Sequence, residues 1–150
     1  MKDRLDISTD KARLDLHFIH SYLSEESYWA KGRTLEDMRR SIEYSTCFGG
    51  YLPDGRQVAF ARIVTDQVVF AWLMDVFVSP SVRGLGYGKQ LVAHILDHPD
   101  LRNVNGIGLR TEDAHSLYRH FGFEEIPKVH TWMLKKKPNQ EPGIGPRPAT

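Results

Sequence analysis

A single cysteine, Cys47, is all this chain offers to disulfide chemistry, so no internal disulfide can staple the fold. That points to a reducing compartment and a cytoplasmic protein. Charge of one sign is missing too: 20 Lys and Arg stand against 19 Asp and Glu, a formal charge of +1. No basic field is therefore available for nucleic acid or an anionic membrane surface. No apolar run reaches the roughly 20 residues that a membrane-spanning helix needs. The first residues, Met1-Lys2-Asp3-Arg4-Leu5-Asp6, are too charged for a signal peptide.

Metal-ligand spacing is lacking as well. His94 and His98 are four apart, but the residue after His94 is Ile95 rather than the glutamate of zinc-protease helices. His17 with His20, and His115 with His120, have no third ligand nearby in sequence, so solvated helix faces explain them and no metal is expected. Neither a Ser/His/Asp set nor a reactive thiol can be read, and Cys47 fits a small buried residue. No internal repeat is present.

What the chain does have suits one domain with a real core, 150 residues being ample for that. Residues 3–8 read as a first strand. Asp10 can cap a helix reaching Leu23, with Leu14, Phe18 and Tyr22 at four-residue spacing. Thr34 opens a second helix that turns Met38, Ile42 and also Leu35 inward and ends near Ser45. Phe48–Leu52, the turn Pro53-Asp54-Gly55, and Gln57–Val64 read as a hairpin. Val68–Val78 is apolar on both faces, as a central strand requires. A helix over 85–97, a strand over 105–110, a helix over 114–121 and two strands over 123–126 and 129–135 complete the pattern. Residues 136–150, with four prolines and two glycines, are expected to form a disordered tail outside a domain spanning 1–135.

The densest signal is Val78-Ser79-Pro80-Ser81-Val82-Arg83-Gly84-Leu85-Gly86-Tyr87-Gly88-Lys89. A strand feeding a glycine-rich turn and then a helix leaves unpaired N–H groups at the positive end of the helix dipole, a site for phosphate. A P-loop is excluded by spacing: three residues separate Gly84 from Gly88, and Lys89 is followed by Gln90 instead of a hydroxyl residue. A dinucleotide fingerprint beginning at Gly84 would need a glycine at Lys89.

The remaining pattern, Arg83-x-x-Gly86-x-Gly88 after Val78-x-Pro80, resembles the acetyl-CoA pyrophosphate loop of the GNAT superfamily of N-acetyltransferases. About thirty residues on, Ala114-His115-Ser116-Leu117-Tyr118-Arg119-His120-Phe121-Gly122-Phe123 is similar to that family's A-x-x-L-Y-x-x-x-G-F signature. Thr111 stands where the family often has an asparagine.

The resemblance implies an α/β fold: a mixed, mostly antiparallel sheet of six to seven strands, about four helices, and a splayed parallel pair at Leu73–Val78 and Gly106–Arg110. It implies acetyl-CoA as co-substrate, with Arg83, Gly84, Leu85, Gly86, Tyr87, Gly88 and Lys89 around its pyrophosphate. The amides of Val76 and Val78 would face the acetyl carbonyl, and Ser116 would touch the cofactor arm or simply be a surface serine. Tyr118 matches the tyrosine that reprotonates the departing thiolate, the alternative being a packed helix aromatic.

Asp75 interrupts an apolar run. Strand alternation puts it with Leu73 and Phe77, and burial would raise its pKa toward that of a general base. Pairing with an arginine, or capping a backbone bulge, is the structural alternative. Tyr28 and Trp29 could wall an acceptor pocket, with Lys31 or Arg33 holding an acidic group, or could merely pack the helix connection. Trp132 fits core or rim. The expected activity is N-acetylation of a primary amine of a small molecule by direct attack in a ternary complex. A non-catalytic acyl-CoA sensor, or acetylation of a protein lysine or N-terminus, stays open, as does a homodimer.

Overall fold

The computed structural model describes residues 4–137, so the tail expected at 136–150 lies almost wholly outside the described residues. Five strands lie in chain order in one sheet: β1 (Asp6–Ser8), β2 (Thr46–Tyr51), β3 (Gln57–Thr65), β4 (Phe70–Val78) and β5 (Gly106–Gly108). The first four pair antiparallel, and β4 pairs parallel with β5. Helices α1 (Leu16–Ser21) and α2 (Leu35–Glu43) precede β2, α3 (Tyr87–Leu96) connects β4 to β5, and α4 (His115–His120) follows β5. The fold is therefore mixed α/β, with five strands among the described residues where six or seven were expected.

Local chemistry sets the helix starts. The Thr34 hydroxyl accepts the Asp37 amide at 3.1 Å and starts α2, whose Met38 and Ile42 are buried while Leu35, expected inward, is exposed in the first turn. Asp10 caps only a 3-10 turn at Lys11–Arg13; α1 is capped by Asp15, whose carboxylate accepts the Phe18 amide at 3.1 Å. Asp15 offers a second acceptor five residues on, and the chain uses it. Beyond Ser21 the helix widens into a π turn over Tyr22–Glu26, which stacks Tyr22 on Phe77 with centroids 4.0 Å apart.

The sheet is buried on both faces. One core joins Ala59, Ala61, Ile63, Ala71 and Leu73 to Leu91, Val92 and Ile95 of α3 and Tyr118 of α4. The other joins Phe60 and Phe77 to Ile19 and Leu23, to Met38 and Ile42 of α2, and to Cys47, whose thiol is pushed up to about 11 by burial. His94 and His98 set their rings edge-on to Phe48, at 6.2 and 5.2 Å, and the His98 ring accepts the Asp100 amide.

Strand β4 carries one extra residue. Phe60 faces Phe77 and Arg62 faces Met74, so Ala61 opposes both Asp75 and Val76, and Asp75 has a left-handed φ of 54°. The bulge reverses the alternation: Leu73 belongs to the α3 core and Phe77 to the opposite one. The expectation that Asp75 shares its face with both is thereby corrected, because a strict two-residue period cannot foresee an inserted residue.

Two further expectations fail. The parallel strand stops at Gly108 instead of reaching Arg110, its pairing limited to Phe70, Ala71 and Trp72 against Gly106, Ile107 and Gly108. Residues 123–126 and 129–135 form no strands: Val129–Thr131 is a 3-10 turn, and Val129, Met133 and Leu134 are exposed. A three-residue β5 gives them little edge to pair with, and Pro127 removes a donor. Trp132 is half exposed, its ring 6.5 Å from Trp72, a rim residue.

Candidate active site

Because β5 leaves after Gly108, the second half of β4 has no strand on that edge. The Ser79 amide donates to the Val58 carbonyl at 2.7 Å, toward β3. Alternation from Ser79 turns the N–H of Val78 the other way, toward the gap, and Val76, the residue after the left-handed Asp75, borders the same gap. Two main-chain positions of β4 thus border the gap.

The glycine loop closes the end of that gap. A 3-10 turn over Pro80–Val82 leads to Gly84 (φ 82°) and Gly86 (φ 85°), and Gly86 is the N-cap of α3. Both glycines hold left-handed backbone that a side chain disfavours. The first-turn amides of α3 have no intrahelical acceptor and lie at the positive end of the dipole. At Gly88 an added Cβ would meet protein only at 3.9 Å (Leu117) and 4.0 Å (Val78). Protein packing does not demand that glycine; the space in front of it belongs to a cavity of about 300 Å³. Val76, Val78, Arg83, Gly84, Gly86, Tyr87, Gly88, Ala114, Leu117 and Tyr118 border it. An open cradle lined by main-chain donors fits a phosphate-bearing ligand.

Leu85, Lys89 and Ser116, grouped with these from sequence, are exposed and do not line the cavity. Tyr87 sends its side chain into the α3 core, so only its main chain can serve a ligand. Arg83 is already engaged, donating to the Tyr22 hydroxyl at 2.7 Å and the Val78 carbonyl at 3.2 Å.

A larger cavity, about 400 Å³, adjoins the first, and Val76, Ala114 and Tyr118 border both. Tyr28, Trp29 and Arg33 of the α1–α2 connection line it together with Asp75 of β4, more than forty residues on. The Glu112 amide donates to the Tyr28 hydroxyl at 2.8 Å, tying the α1–α2 connection to the loop before α4. Tyr28 stands edge-on to Trp29 at 5.0 Å. Tyr118 is buried, T-shaped to Phe123 at 5.7 Å, and burial pushes its phenol up to about 12.

Asp75 lies beneath this cavity. Its Oδ2 accepts from Arg33 Nη1 and Arg62 Nε, each at 2.6 Å, and its Oδ1 accepts from Trp29 Nε1 at 3.0 Å. Desolvation alone would raise its pKa, as expected from sequence. The two guanidiniums outweigh that by charge and hydrogen bonding, and the carboxyl is held below its ordinary value. The expected elevation is reversed. A carboxylate with three donors and a depressed pKa is a poor proton acceptor.

Arg62 escaped the sequence reading although it interrupts an apolar run in β3 as Asp75 does in β4. Two lone opposite charges in neighbouring central strands were the available signal. Trp72, Glu112 and Asp113, also on the cavity wall, carried no comparable mark. Among the described residues no group of three or more His, Cys, Asp or Glu side chains gathers as metal ligands would, and no helix is long and apolar enough to cross a membrane.

Comparison with known proteins shows the family and the fold. The profile of a family described as an acetyltransferase (GNAT) domain matches residues 45–125. A protein from Xanthomonas campestris pv. campestris assigned to the GNAT family superposes with a TM-score of 0.87 at 43% identity, covering 92% of this chain and 96% of that one. Serotonin N-acetyltransferase 2 of rice, a chloroplastic protein, is 35% identical over 116 residues, 73% of this chain but only 57% of its own length. A Gibberella zeae protein named as an acetyltransferase is 28% identical over 142 residues, 79% of this chain and 78% of its own.

Proposed function

Since the chain belongs to the GNAT acetyltransferase family and is an acyltransferase, we propose that it N-acetylates a primary amine of a small molecule, with acetyl-CoA as donor. The observation that carries this is the meeting of the two cavities at Val76, Ala114 and Tyr118. One end offers phosphate-binding amides, the other an aromatic-walled chamber, and the bared β4 donors lie between them. The Tyr28–Glu112 tie across the chamber favours a small acceptor over an extended protein segment. The rice relative's name, which specifies a small amine, supports the same reading.

Bound acetyl-CoA would supply the acetyl group as a thioester. The amides of Val76 and Val78 stabilise the carbonyl oxygen as it gains charge, and one such donor is worth about 3–4 kcal/mol of barrier. Main-chain donors of 84–88 hold the pyrophosphate and fix the thioester against β4. Tyr118, kept neutral by burial, holds the proton the leaving sulfur needs. Asp75 takes no proton. The incoming ammonium gives up one proton at the mouth, beside the exposed carboxylates of Glu112 and Asp113. Its nitrogen attacks the acetyl carbon, the C–S bond breaks as sulfur takes the Tyr118 proton, and the surplus proton on nitrogen returns to the phenolate.

The test is release of free CoA from acetyl-CoA across a panel of primary amines. Amine-dependent release is expected. Tight acetyl-CoA binding with no release on any amine would instead favour the non-catalytic sensor. Tyr118→Phe should lower kcat about 10²-fold, within the range for a general acid, and change the acetyl-CoA Kd little. An unchanged kcat would remove the acid role from Tyr118.

A further inference from the structure

The buried charges beneath the acceptor chamber do not balance. Arg33, Arg62 and Asp75 have side chains only 5%, 8% and 2% exposed, so two guanidiniums share one carboxylate and leave a buried excess of one positive charge. Uncompensated buried charge is costly, and the cost falls when an anion completes the pairing. The two arginines differ in how far the protein satisfies them. Arg62 also donates to the Ser45 hydroxyl at 3.0 Å and does not line the chamber. Arg33 lines it, and among the described residues its guanidinium donates once, from Nη1 to Asp75. A guanidinium has five N–H donors, so most of this one's are unengaged in a residue 95% removed from solvent.

Resting on the acetyltransferase reading above, we propose that the acceptor amine carries an oxyanion, a carboxylate or a phosphate, which Arg33 receives inside the chamber. The planar fork suits both groups, because two parallel N–H donors match two oxygens. Lys31, the other cation considered from sequence, is exposed and does not line the chamber. The other charges on the lining orient the ligand. Glu112 and Asp113 attract the ammonium and repel an oxyanion, and Arg110 on the same loop offsets only one of those charges. The amine is therefore directed toward α4 and Tyr118, and the anionic end toward Arg33. Asp75 serves by holding that guanidinium in place.

The test uses amines in matched pairs that differ only in the anion: phenylalanine against phenethylamine, tryptophan against tryptamine, and glucosamine 6-phosphate against glucosamine. The wild-type enzyme should prefer the anionic member of at least one pair by about tenfold or more in kcat/KM, the size of a charge-assisted hydrogen bond. The first two pairs against the third tell carboxylate from phosphate. In Arg33→Lys, which keeps a cation for Asp75 but loses the fork, the preference should shrink to near parity. This ratio is taken within one protein sample, so partial unfolding does not change it. On the wild type alone, acetate should compete with the favoured anionic amine and leave its neutral partner's turnover unaffected. Equal or better use of the neutral members throughout, or a preference undiminished in Arg33→Lys, would overturn the assignment while leaving the acetyltransferase reading intact. No release with any member would sink both.

Discussion

Gly86→Asp should lose acetyl-CoA binding by several hundredfold or more while the protein stays folded. Gly86 sits at the N-cap of α3 with φ 85°, beside the cavity where main-chain donors converge. A carboxylate there would face the pyrophosphate at close range. Two like charges about 4 Å apart at an effective dielectric near 20 repel by about 4 kcal/mol, roughly a thousandfold in affinity. Backbone strain is the competing explanation, and Gly86→Asn separates the two. Asparagine and aspartate tolerate left-handed backbone about equally, so Asn reports strain and steric filling alone. Calorimetric titration with acetyl-CoA should show Asn impaired modestly and Asp severely. If the two variants bind alike, the loop does not hold a phosphate through position 86.

The second large effect concerns stability. Asp75→Ala strands two buried guanidiniums, and removing one partner of a buried ion pair costs about 3–5 kcal/mol. Alanine also sits poorly at φ 54°, adding about 1–2 kcal/mol. For a domain of this size that is a large share of the whole, so Asp75→Ala should be largely unfolded near 37 °C by circular dichroism. Asp75→Asn keeps the left-handed tolerance and a partner for Trp29 but loses the charge, and should fall between.

The linked pH dependence has a definite sign. The folded carboxyl is held below its ordinary value of 3.8 by Arg33 and Arg62, despite the opposing desolvation. Its contribution is complete above that ordinary value and is lost as pH falls from there through the depressed folded-state pKa. Denaturant melts below about pH 4 should therefore narrow the gap between wild type and Asp75→Asn. A gap that widens in acid would contradict the pairing.

Legibility followed the kind of signal each feature needs. The loop was readable because its chemistry uses main chain, so the glycines themselves are the requirement and stand in the sequence at fixed spacing. The hairpin and the buried β3 and β4 were readable from apolar runs bounded by turn residues. Asp75 was singled out as a charge inside such a run, and of its two readings the pairing with arginine holds over the general base. Which arginines pair was not legible, because Arg33 lies on the α2 approach and Arg62 thirteen residues back on β3. A bulge at Asp75 was among the alternatives, but its effect on the strand faces was not legible: an inserted residue breaks the period on which strand reading depends. The last two strands were overread, since alternation reports a preference and pairing needs an edge long enough to receive it.

Phe77 lies between the two donors, Val76 and Val78, yet its ring is gripped from the far side of the sheet by Tyr22, Phe18 and Phe60. The inserted residue in β4 put it there. Helix α1, which contributes no residue to either cavity wall, therefore packs through Phe18 on the residue that separates the two amides. Selection for faster or slower variants should find its answers in Phe18 and its neighbours as readily as in the chamber itself.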